Sequence, residues 1–380
     1  MSSLKINVLC LVSSLCVGGA EKHTVTLSNL LDSRKFNVYL GYLKPVEALL
    51  NQVRKELLDR TFCLHVAKRI DFAAVSRLRA FIDSNEIDVI VATHEYPALY
   101  ALMARRGARR IPRLIEVFHA TGYLGLKSKL QMQLYRPVFK RCDLLVYVSE
   151  KQREYWRSKG FAGKRDIVIH NGVDLERFRD RSDASRRQAL RAKCGFSPDD
   201  LVIGICAALR PEKAHGDLLL ALSQLRERGL SAKVLIVGDG PERSAIERTI
   251  ADLNLSHCVF ITGFQDDVRP HLAICDVLVL ASHAIETFSI AALEAMAMGK
   301  PLVLTRIGGA EEQVIAGQNG FLYEPGDIEA LSGNLAALQS ESTRNAMGKA
   351  SRERVEALFS EGRMMEQFER EIQALVRRAN

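Results

Sequence analysis

The chain has 380 residues, of which 47% are apolar and 26% carry a charge. This composition is typical of a folded globular protein and excludes a disordered one, and the length accommodates two domains of ordinary size. No stretch approaches the roughly 18 consecutive apolar residues that a transmembrane helix needs, and the apolar run at 6–12 is too short for a secretion signal. The eight cysteines occur singly and form no CxxC pair, which fits neither a zinc site nor a disulfide framework and indicates the reducing cytosol.

The first half of the chain predicts alternating strands and helices, the pattern of a doubly wound α/β domain with a parallel sheet. Gly18 and Gly19 follow the first strand and precede a predicted helix at 23–31, where glycines let a backbone approach a ligand closely. His119 follows the fourth predicted strand, and it either packs in the core or lies at the ligand-binding edge of the sheet. The predicted strands are residues 6–12, 38–43, 88–92, 113–117, 144–148 and 167–169.

The net charge of +8 is unevenly distributed, with sixteen lysines and arginines between residues 105 and 165 and few acidic residues there. Nucleic-acid binding is not expected, because no helix-turn-helix, zinc finger or aromatic stacking platform accompanies the charge. The segment 124–139 mixes Leu, Met and Tyr with Lys and Arg, as an interfacial amphipathic helix does. Two interpretations stay open: peripheral contact with an anionic membrane, or a solvated basic face.

A charged stretch at 179–193 lacks hydrophobic periodicity, and we place the domain boundary ahead of it, giving domains 1–172 and 173–359. The second domain repeats the alternation, with strands predicted at 201–207, 233–237, 259–262, 277–280 and 302–305 and helices at 217–228, 268–274 and 290–298. The run from Gly238 to Pro241 resembles a dinucleotide fingerprint, but position 243 is Arg rather than Gly. A Rossmann-type oxidoreductase is therefore not indicated.

The stretch 281–300 carries two glutamates, Glu286 and Glu294, with seven residues between them. Glu294 falls inside an apolar predicted helix, where a carboxylate needs a partner or a ligand. The backbone amides from Thr287 through Phe288 and Ser289 to Ile290 are expected to be free donors at the helix N-terminus, which is a ready anion site. A diphosphate held there between a sugar and a ribose fits both carboxylates, whereas the alternative is a pair of solvated surface glutamates.

Arg210 and Lys213 lie in the loop after the strand at 201–207, on a prolyl turn. A departing diphosphate accumulates negative charge, and fixed cations stabilise that charge without a metal. The alternative interpretation is two surface cations. No Asp-x-Asp motif stands out as a metal–nucleotide clamp, which favours a metal-independent reaction without a cofactor.

These motifs together resemble the retaining glycosyltransferases of family 4, which have the GT-B fold, and the likeness covers nearly the whole chain. The resemblance implies two Rossmann-like doubly wound domains facing across a cleft, with residues 360–380 crossing back to the N-terminal, acceptor-side domain. It also implies that the C-terminal domain binds a nucleotide-diphosphate sugar. The residues that carry it are Gly18-Gly19-Ala20-Glu21, His119, Asn171-Gly172-Val173-Asp174, Arg210-Pro211-Glu212-Lys213, Gly238-Asp239-Gly240-Pro241, Glu286 and Glu294.

The resemblance also implies a role for each matching residue. The first glutamate of the pair, Glu286, contacts the donor sugar, and the second, Glu294, contacts the ribose. The basic pair holds the diphosphate, and the histidine lies beside the donor sugar. The implied catalytic residues are His119, Glu286, Arg210 and Lys213. The implied donor-binding residues are Gly18, Gly19, Arg210, Lys213, Gly238, Phe288, Ser289, Ile290 and Glu294.

The chain departs from the family pattern at two places. Relatives often read Gly-Arg-Leu-x-Pro-Glu-Lys, and on that alignment Ala208 stands at the arginine position, with Arg210 supplying the charge two residues later. The usual Gly-Phe-Gly before the helix is Thr287-Phe288-Ser289, in which the flanking side chains are small and Ser289 adds a hydroxyl. Because the arginine is shifted by two residues from the family pattern and the lysine is not, the assignment of the diphosphate contact rests more on Lys213 than on Arg210.

The expected reaction is retaining transfer from a UDP-sugar to a glycan or lipid-linked acceptor in cell-surface polysaccharide or lipopolysaccharide synthesis. The expected location is the cytoplasm, with association at the inner face of the cytoplasmic membrane. Two alternatives stay open: a nucleotide-sugar hydrolase or epimerase of the same architecture, and a non-catalytic nucleotide-binding protein.

Overall fold

The computed structural model describes residues 5–123 and 125–377. Its contacts divide the chain into two compact units. Unit 1 contains residues 1–171 and 362–380, and unit 2 contains residues 172–361. Each unit is an α/β domain built on one parallel sheet, so the doubly wound fold predicted from the sequence is confirmed.

In the described part of unit 1, seven strands form a sheet of order β3-β2-β1-β4-β5-β6-β7. Every pair in it is parallel, so the strands require helical crossovers, and the central strands β1 and β4–β6 are almost entirely buried. The strands are β1 (Ile6–Val12), β2 (Phe36–Tyr42), β3 (Thr61–Cys63), β4 (Val89–Thr93), β5 (Arg113–Phe118), β6 (Leu144–Tyr147) and β7 (Asp166–Val168). The helices are α1 (Gly19–Leu30), α2 (Lys55–Leu58), α3 (Phe72–Ser84), α4 (Glu95–Arg105), α5 (Gly125–Phe139) and α6 (Glu150–Ser158).

In unit 2, six strands form a sheet of order β10-β9-β8-β11-β12-β13, again with parallel pairs. The strands are β8 (Leu201–Cys206), β9 (Ala232–Val237), β10 (Val259–Ile261), β11 (Val277–Leu280), β12 (Leu302–Thr305) and β13 (Gly320–Tyr323). The helices are α7 (Ala184–Lys193), α8 (His215–Glu227), α9 (Arg243–Asp252), α10 (Arg269–Ile274), α11 (Ile290–Ala297), α12 (Ala310–Gln313), α13 (Ile328–Ala337) and α14 (Glu341–Leu358).

The last helix, α15 (Glu361–Arg377), leaves unit 2 at its first residue and packs on unit 1, as predicted. Phe368 is fully buried, and its ring lies 5.5 Å from that of His23 in α1. Lys35 Nζ donates to Glu369 Oε2 at 2.7 Å. An apolar contact and an ion pair thus hold the returning helix to the unit that begins the chain.

In each sheet the strand order reverses at one place, between β1 and β4 in unit 1 and between β8 and β11 in unit 2. The crossover helices diverge to opposite faces at such a point and leave a crevice at the carboxyl ends of the two strands. Ligands of doubly wound folds bind in these crevices. The loops after β1, β4, β8 and β11 are therefore where candidate functional residues are expected.

The charged stretch 179–193, which lacks hydrophobic periodicity, contains the helix α7. No helix was predicted there, because none of its residues is buried and no apolar stripe marks it. Asp183 caps its N-terminus by accepting from the amide of Arg186, and Nη2 of Arg191 donates to both carboxylate oxygens of Asp276 at 2.9 Å. Polar contacts, which leave no hydrophobic period in a sequence, hold this helix in place.

Candidate functional site

The predicted site residues fall in both units. Gly18, Gly19 and His119 belong to unit 1. The remaining residues, Arg210, Lys213, Gly238, Glu286, Phe288, Ser289, Ile290 and Glu294, belong to unit 2.

An ion pair joins the loops that follow β8 and β11, at the strand-order reversal of unit 2. Lys213 Nζ lies 2.6 Å from Glu286 Oε2, and both side chains are about four-fifths buried, being 20% and 19% exposed. The hydroxyl of Ser282 also donates to Glu286 Oε2, at 3.2 Å. The carboxylate of Glu286 is thus held by one cation and one hydroxyl, an arrangement that fixes its direction.

Backbone hydrogen bonds fix the positions of these two loops. The amide of His283 donates to the carbonyl of Glu212 at 3.0 Å, which ties the loop after β11 to the turn that carries Lys213. The hydroxyl of Thr305 at the end of β12 donates to the carbonyl of Ser282 at 2.8 Å. Arg210 is exposed and directly precedes a one-turn 3₁₀ helix, Pro211–Lys213. Among the described residues, its guanidinium has no hydrogen-bond partner. Its side chain is therefore available to an anion.

Gly238 and Gly240 allow the loop after β9 to lie directly against the loop that precedes Arg210. Gly238 has φ +151°, and a Cβ there would lie 2.0 Å from the carbonyl oxygen of Ala207. A Cβ on Gly240 would lie 2.5 Å from the carbonyl oxygen of Leu209. The resemblance assigns Gly238 to donor binding, and the structure gives it an additional reason to be glycine, namely this backbone packing.

The N-terminus of α11 is capped within the protein. Ser289 is the N-cap, and its hydroxyl accepts from the amide of Ala292 at 3.3 Å. The side chain of Gln313, which is 1% exposed, brackets Ser289: its Oε1 accepts from the Ser289 amide at 3.3 Å, and its Nε2 donates to the Ser289 carbonyl at 2.8 Å. The expectation that every amide from Thr287 to Ile290 is free is therefore wrong for Ser289.

Phe288 and Glu294 differ in their exposure. The ring of Phe288 is 4% exposed and packs against Phe359, with centroids 5.2 Å apart, so the side chain belongs to the core and only its backbone can face a ligand. Glu294 is partly exposed on an α11 whose other residues are mostly buried. Burial, followed by the nearby Cys275 and Glu294, raises the pKa of Cys206 well above its usual value. Glu294 lies in the second turn of α11, the helix whose N-cap is Ser289.

In unit 1, a cluster of three histidines lies beside the loops at the strand-order reversal. His23 is in α1 after the Gly18-Gly19 turn, His94 follows β4 and His119 follows β5. The ring of His119 lies 5.0 Å from that of His23 and 5.6 Å from that of His94. Sequence reasoning identified His119 alone, and the structure adds two neighbours at the same sheet edge.

The surroundings of His119 and His23 favour neutral imidazoles at these two residues. Burial, and then the neighbouring His23 and His94, lower the pKa of His119 well below its usual value. Burial lowers the pKa of His23 to about 4, and neither of its ring nitrogens has a hydrogen-bond partner among the described residues. A neutral His119 at neutral pH can donate or accept a hydrogen bond but does not supply a positive charge.

His94 has a backbone conformation that is rare for a residue with a side chain, with φ +73° and ψ +164°. This region is populated almost only by glycine, and residues held in it cluster at functional sites. The amide of His94 donates to the carbonyl of Val117 at 3.0 Å, which holds the loop after β4 against β5. His94 thus marks a constrained position that sequence reasoning missed.

Two unit 2 residues that orient the site, Ser282 and Gln313, were also missed. Ser282 is 1% exposed and lies two residues after Leu280, the last residue of β11. A polar residue just after a buried strand of such a sheet is a signal of the ligand-binding edge that sequence reasoning could have used. Gln313 lies 24 residues after Ser289, and nothing in the local sequence relates the two. Its role depends on a tertiary contact that no periodicity encodes.

Comparison with known proteins gives matches over both units. The model of glycosyltransferase family 4 matches residues 17–177, and the model of glycosyl transferases group 1 matches residues 186–354. The chain is 27% identical over 302 residues to the N-acetyl-alpha-D-glucosaminyl L-malate synthase of Bacillus anthracis, covering 79% of this chain and 78% of that protein. It is 31% identical over 288 residues to the GDP-mannose-dependent alpha-(1-6)-phosphatidylinositol monomannoside mannosyltransferase of Mycolicibacterium smegmatis, covering 73% and 74%.

The fold matches that of the Anabaena HepE protein, whose crystal structure was determined in complex with UDP and glucose. The TM-score is 0.84 at 22% sequence identity, and the match covers 97% of this chain and 100% of that chain.

Proposed function

Since the chain belongs to glycosyltransferase family 4 and is an enzyme of the hexosyltransferase type, we propose that it transfers a sugar from a UDP-sugar with retention of configuration. We further propose a glycan or lipid-linked acceptor in the synthesis of cell-surface polysaccharide or lipopolysaccharide. The M. smegmatis relative is named for a lipid acceptor and a GDP donor, whereas the similar Anabaena structure contains UDP and glucose. Titration with UDP-sugars and GDP-sugars distinguishes the two nucleotides.

The observation that carries the proposal is the ion pair of Lys213 and Glu286 at the strand-order reversal of unit 2. It brings together the cation and the carboxylate that a nucleotide-diphosphate sugar requires, at the sheet edge where such ligands bind. We assign the ribose contact to Glu294, which lies in the second turn of α11. The partly exposed Ile290 begins α11, whose N-terminal dipole favours an anion.

The mechanism we propose is front-face displacement. The bond from the anomeric carbon to the diphosphate oxygen breaks, the acceptor hydroxyl forms the new bond on the same face, and the departing diphosphate oxygen takes the acceptor proton. Arg210, Lys213 and the N-terminus of α11 stabilise the negative charge that accumulates on the leaving group. Glu286 orients the donor sugar through its hydroxyls. Gly18 and Gly19 give the donor phosphates room, and the neutral His119 donates a hydrogen bond to the sugar.

The helix α5 carries a feature suited to a membrane surface. Leu126, Leu130 and Leu134 are 85%, 70% and 68% exposed, and their spacing of four residues places them on one stripe. Lys127 and Lys129 are exposed beside them, and each cation near an anionic bilayer contributes about 1 kcal/mol. Leu124, the first residue of the predicted amphipathic segment, lies outside the described residues. We propose that this helix lies on the inner face of the cytoplasmic membrane; among the described helices, none is long and apolar enough to cross it.

The donor is tested by thermal shift and calorimetry with UDP-, GDP-, ADP- and dTDP-sugars in the presence of EDTA. We expect one UDP-sugar to stabilise the protein by about 2.7 kcal/mol at a hundred times its Kd. Lys213→Ala is expected to lose this stabilisation, whereas Lys349→Ala, at a side chain 81% exposed in unit 2, should keep it. Stabilisation by a GDP-sugar alone would overturn the donor assignment, and a requirement for a divalent ion would overturn the metal-free mechanism.

Two further measurements test the remaining parts of the proposal. Proton NMR of the product should show the anomeric configuration of the donor, and inversion would contradict the mechanism. Release of free sugar with every acceptor tried would indicate a hydrolase instead. Sedimentation with vesicles of phosphatidylglycerol and phosphatidylcholine should show binding that Leu130→Ser weakens and that Leu220→Ser, an exposed leucine of unit 2, leaves unchanged.

A further inference from the structure

Unit 1 contains a surface pocket of about 580 Å³ with a strongly basic lining. Lys44, Lys68, Arg69 and Lys127 contribute to its wall, and the one carboxylate among the lining residues is Glu95. The rings of Tyr96 and Tyr135 complete the polar part of the surface. The pocket lies outside the set of residues so far assigned to the donor.

The four cations are not neutralised within the protein. Within the described ranges 5–123 and 125–377, none of them lies within 4.0 Å of a carboxylate oxygen. All four are exposed residues. The backbone that presents two of them is fixed, because the hydroxyl of Tyr96 donates to the carbonyl of Arg69 at 3.0 Å and that of Tyr100 donates to the carbonyl of Lys68 at 3.4 Å. Cations that lack a carboxylate partner, two of them on a fixed loop, form a preorganised anion site.

The helix α5 links this pocket to the exposed leucines. Lys127, Gln131 and Tyr135, four residues apart, line the pocket and therefore share one face of the helix. Each exposed leucine of the stripe directly precedes one of them, at 126, 130 and 134. Successive residues of a helix are rotated by about 100°, so the apolar stripe lies on the face adjacent to the pocket wall. A ligand with an anionic group and a hydrocarbon chain can satisfy both faces.

The pocket also reaches the histidine cluster. Glu95 lines the pocket, and its Oε2 lies 3.9 Å from Nδ1 of His94. The ring of His94 in turn lies 5.6 Å from that of His119. The pocket thus lies beside the edge of the unit 1 sheet that carries His94 and His119.

From these observations we infer that the pocket binds the phosphate or diphosphate of a lipid-linked acceptor, whose hydrocarbon chain follows the leucine stripe of α5 into the bilayer. The inference rests on the proposed glycosyltransfer and deepens it, because it names the acceptor as an anionic amphiphile. In this proposal the four cations hold the charged group, and Gln131, Tyr96 and Tyr135 contact the acceptor sugar that is attached to it.

The test is calorimetric titration with farnesyl diphosphate, farnesol and inorganic pyrophosphate, with saturating UDP to keep the probes out of the donor site. We expect farnesyl diphosphate to bind more tightly than either of the other two. The double variant Lys68→Ala/Arg69→Ala should bind it at least about tenfold more weakly, the loss expected for two charge-assisted contacts. Lys55→Ala, an exposed lysine of unit 1 away from the pocket, serves as the matched control and should bind as the parent does.

The outcomes separate this inference from the proposed function. Equal binding of farnesol and farnesyl diphosphate, or equal binding by the double variant, would overturn the inference while donor binding stood. Pyrophosphate binding as tight as that of farnesyl diphosphate would show a subsite for free anions and overturn the lipid-linked acceptor. Failure of every nucleotide sugar to bind would instead overturn the proposed function, whatever the probe does. The double variant must keep the Tm of the parent without ligand, which shows that it is folded; UDP affinity does not test this, because the substitutions lie in unit 1 and most of the proposed donor residues lie in unit 2.

Discussion

Glu286 is the residue on which the contacts of the candidate donor site converge. Its carboxylate accepts from both Lys213 and Ser282, and Ser282 is held by Thr305. A Cβ on Gly308 would lie 1.8 Å from the carbonyl oxygen of Glu286, so the backbone there is also closely packed. Such a carboxylate can bind sugar hydroxyls without first losing conformational freedom, which is the condition for acting in the transition state.

The first prediction separates the roles of the two glutamates. Glu286→Gln should lower kcat by about 10- to 100-fold, the range expected for one hydrogen bond to a charged group, with a smaller effect on the donor KM. Glu294→Gln should mainly raise the donor KM, since a ribose contact is made equally in the ground and transition states. Steady-state kinetics with varied donor measures both, with Glu353→Gln, at a side chain 65% exposed, as the control. Equal losses of donor affinity in the two variants would contradict this division of roles.

The second prediction concerns His23, whose folded-state pKa of about 4 lies below the ordinary value of 6.5. Below pH 6.5 the unfolded chain takes up a proton that the folded chain refuses, so the stability present above pH 6.5 is lost as the pH falls towards 4. The full loss is about 3 kcal/mol for a shift of this size. His23→Gln should reduce the fall in Tm between pH 7 and pH 4.5, whereas His257→Gln, at an exposed histidine, should not. Parallel Tm profiles of the parent and His23→Gln would refute the prediction.

At the scale of the elements, the donor loops of unit 2 depend on one another. The loop after β9 packs on the loop after β8 through Gly238 and Gly240, and the amide of Leu209 donates to the carbonyl of Asp239 at 3.0 Å. The loop after β11 is tied to the same turn through the amide of His283. A change in any one of these loops is therefore expected to move the cation of another.

The third prediction tests this dependence with Gly238→Ala. The φ of +151° and the approach of a Cβ to within 2.0 Å of the Ala207 carbonyl should cost about 2 kcal/mol or more. Because the displaced backbone leads to Arg210 and Lys213, the donor affinity should fall as well. Gly333→Ala, inside α13 with open space around it, should instead stabilise the protein by up to about 1 kcal/mol and leave donor binding unchanged. Urea unfolding and calorimetry measure the two effects.

The buried strands were the most predictable part of the fold. β1, β11 and β12 have the predicted bounds, because short apolar runs between turn residues leave few alternatives. Helix starts were less accurate: α1 begins at Gly19 rather than residue 23, since a glycine in the first turn gives no propensity signal. The short edge strand β3 and the polar helix α7 were missed, because neither is buried enough to carry a pattern.

The site was predictable only as far as its motifs extend. The motifs predicted Lys213 and Glu286 in loops that follow strands of unit 2, and the structure shows an ion pair between these two side chains. They did not indicate that Gln313 accepts a hydrogen bond from the Ser289 amide or that the rings of His23 and His94 lie beside that of His119. These contacts join segments that are far apart in the chain. The pocket of unit 1 is of the same kind, since its cations come from separate elements.

At the scale of the whole molecule, the chain passes between the two units twice, at residues 171–172 and 361–362. Backbone hydrogen bonds within unit 2 join the two crossing segments to each other. The amide of Val173 donates to the carbonyl of Phe359 at 3.0 Å, and the amide of Glu361 donates to the carbonyl of Val173 at 3.0 Å. Gly172 is required there, since a Cβ would lie 2.7 Å from the Cα of Glu361. The Asn171-Gly172-Val173-Asp174 motif found in the sequence therefore has a structural role at the point where the last helix leaves unit 2.

The fourth prediction follows from the charge at this passage. Burial, together with Asp174 and against the smaller effect of Arg177, raises the pKa of Glu361 to about 7 from an ordinary value of 4.5. The folded chain therefore keeps a proton that the unfolded chain has released, and the stability present below pH 4.5 is lost as the pH rises through 7. The loss is at most about 3 kcal/mol for this shift. Glu361→Gln cannot ionise, so its unit 2 unfolding transition should gain stability relative to the parent between pH 5 and pH 8 and match it below pH 4.5.

The measurement is calorimetric unfolding from pH 4.5 to pH 8, with Glu353→Gln as a matched control because the side chain of Glu353 is 65% exposed. A constant difference between Glu361→Gln and the parent at every pH would show that the carboxyl titrates normally, and the prediction would then be wrong. A difference that grows with pH would locate a proton at the point where the chain leaves unit 2 for its last helix. Since α15 is the element that returns to unit 1, its anchoring would then weaken as the pH rises from acid to neutral.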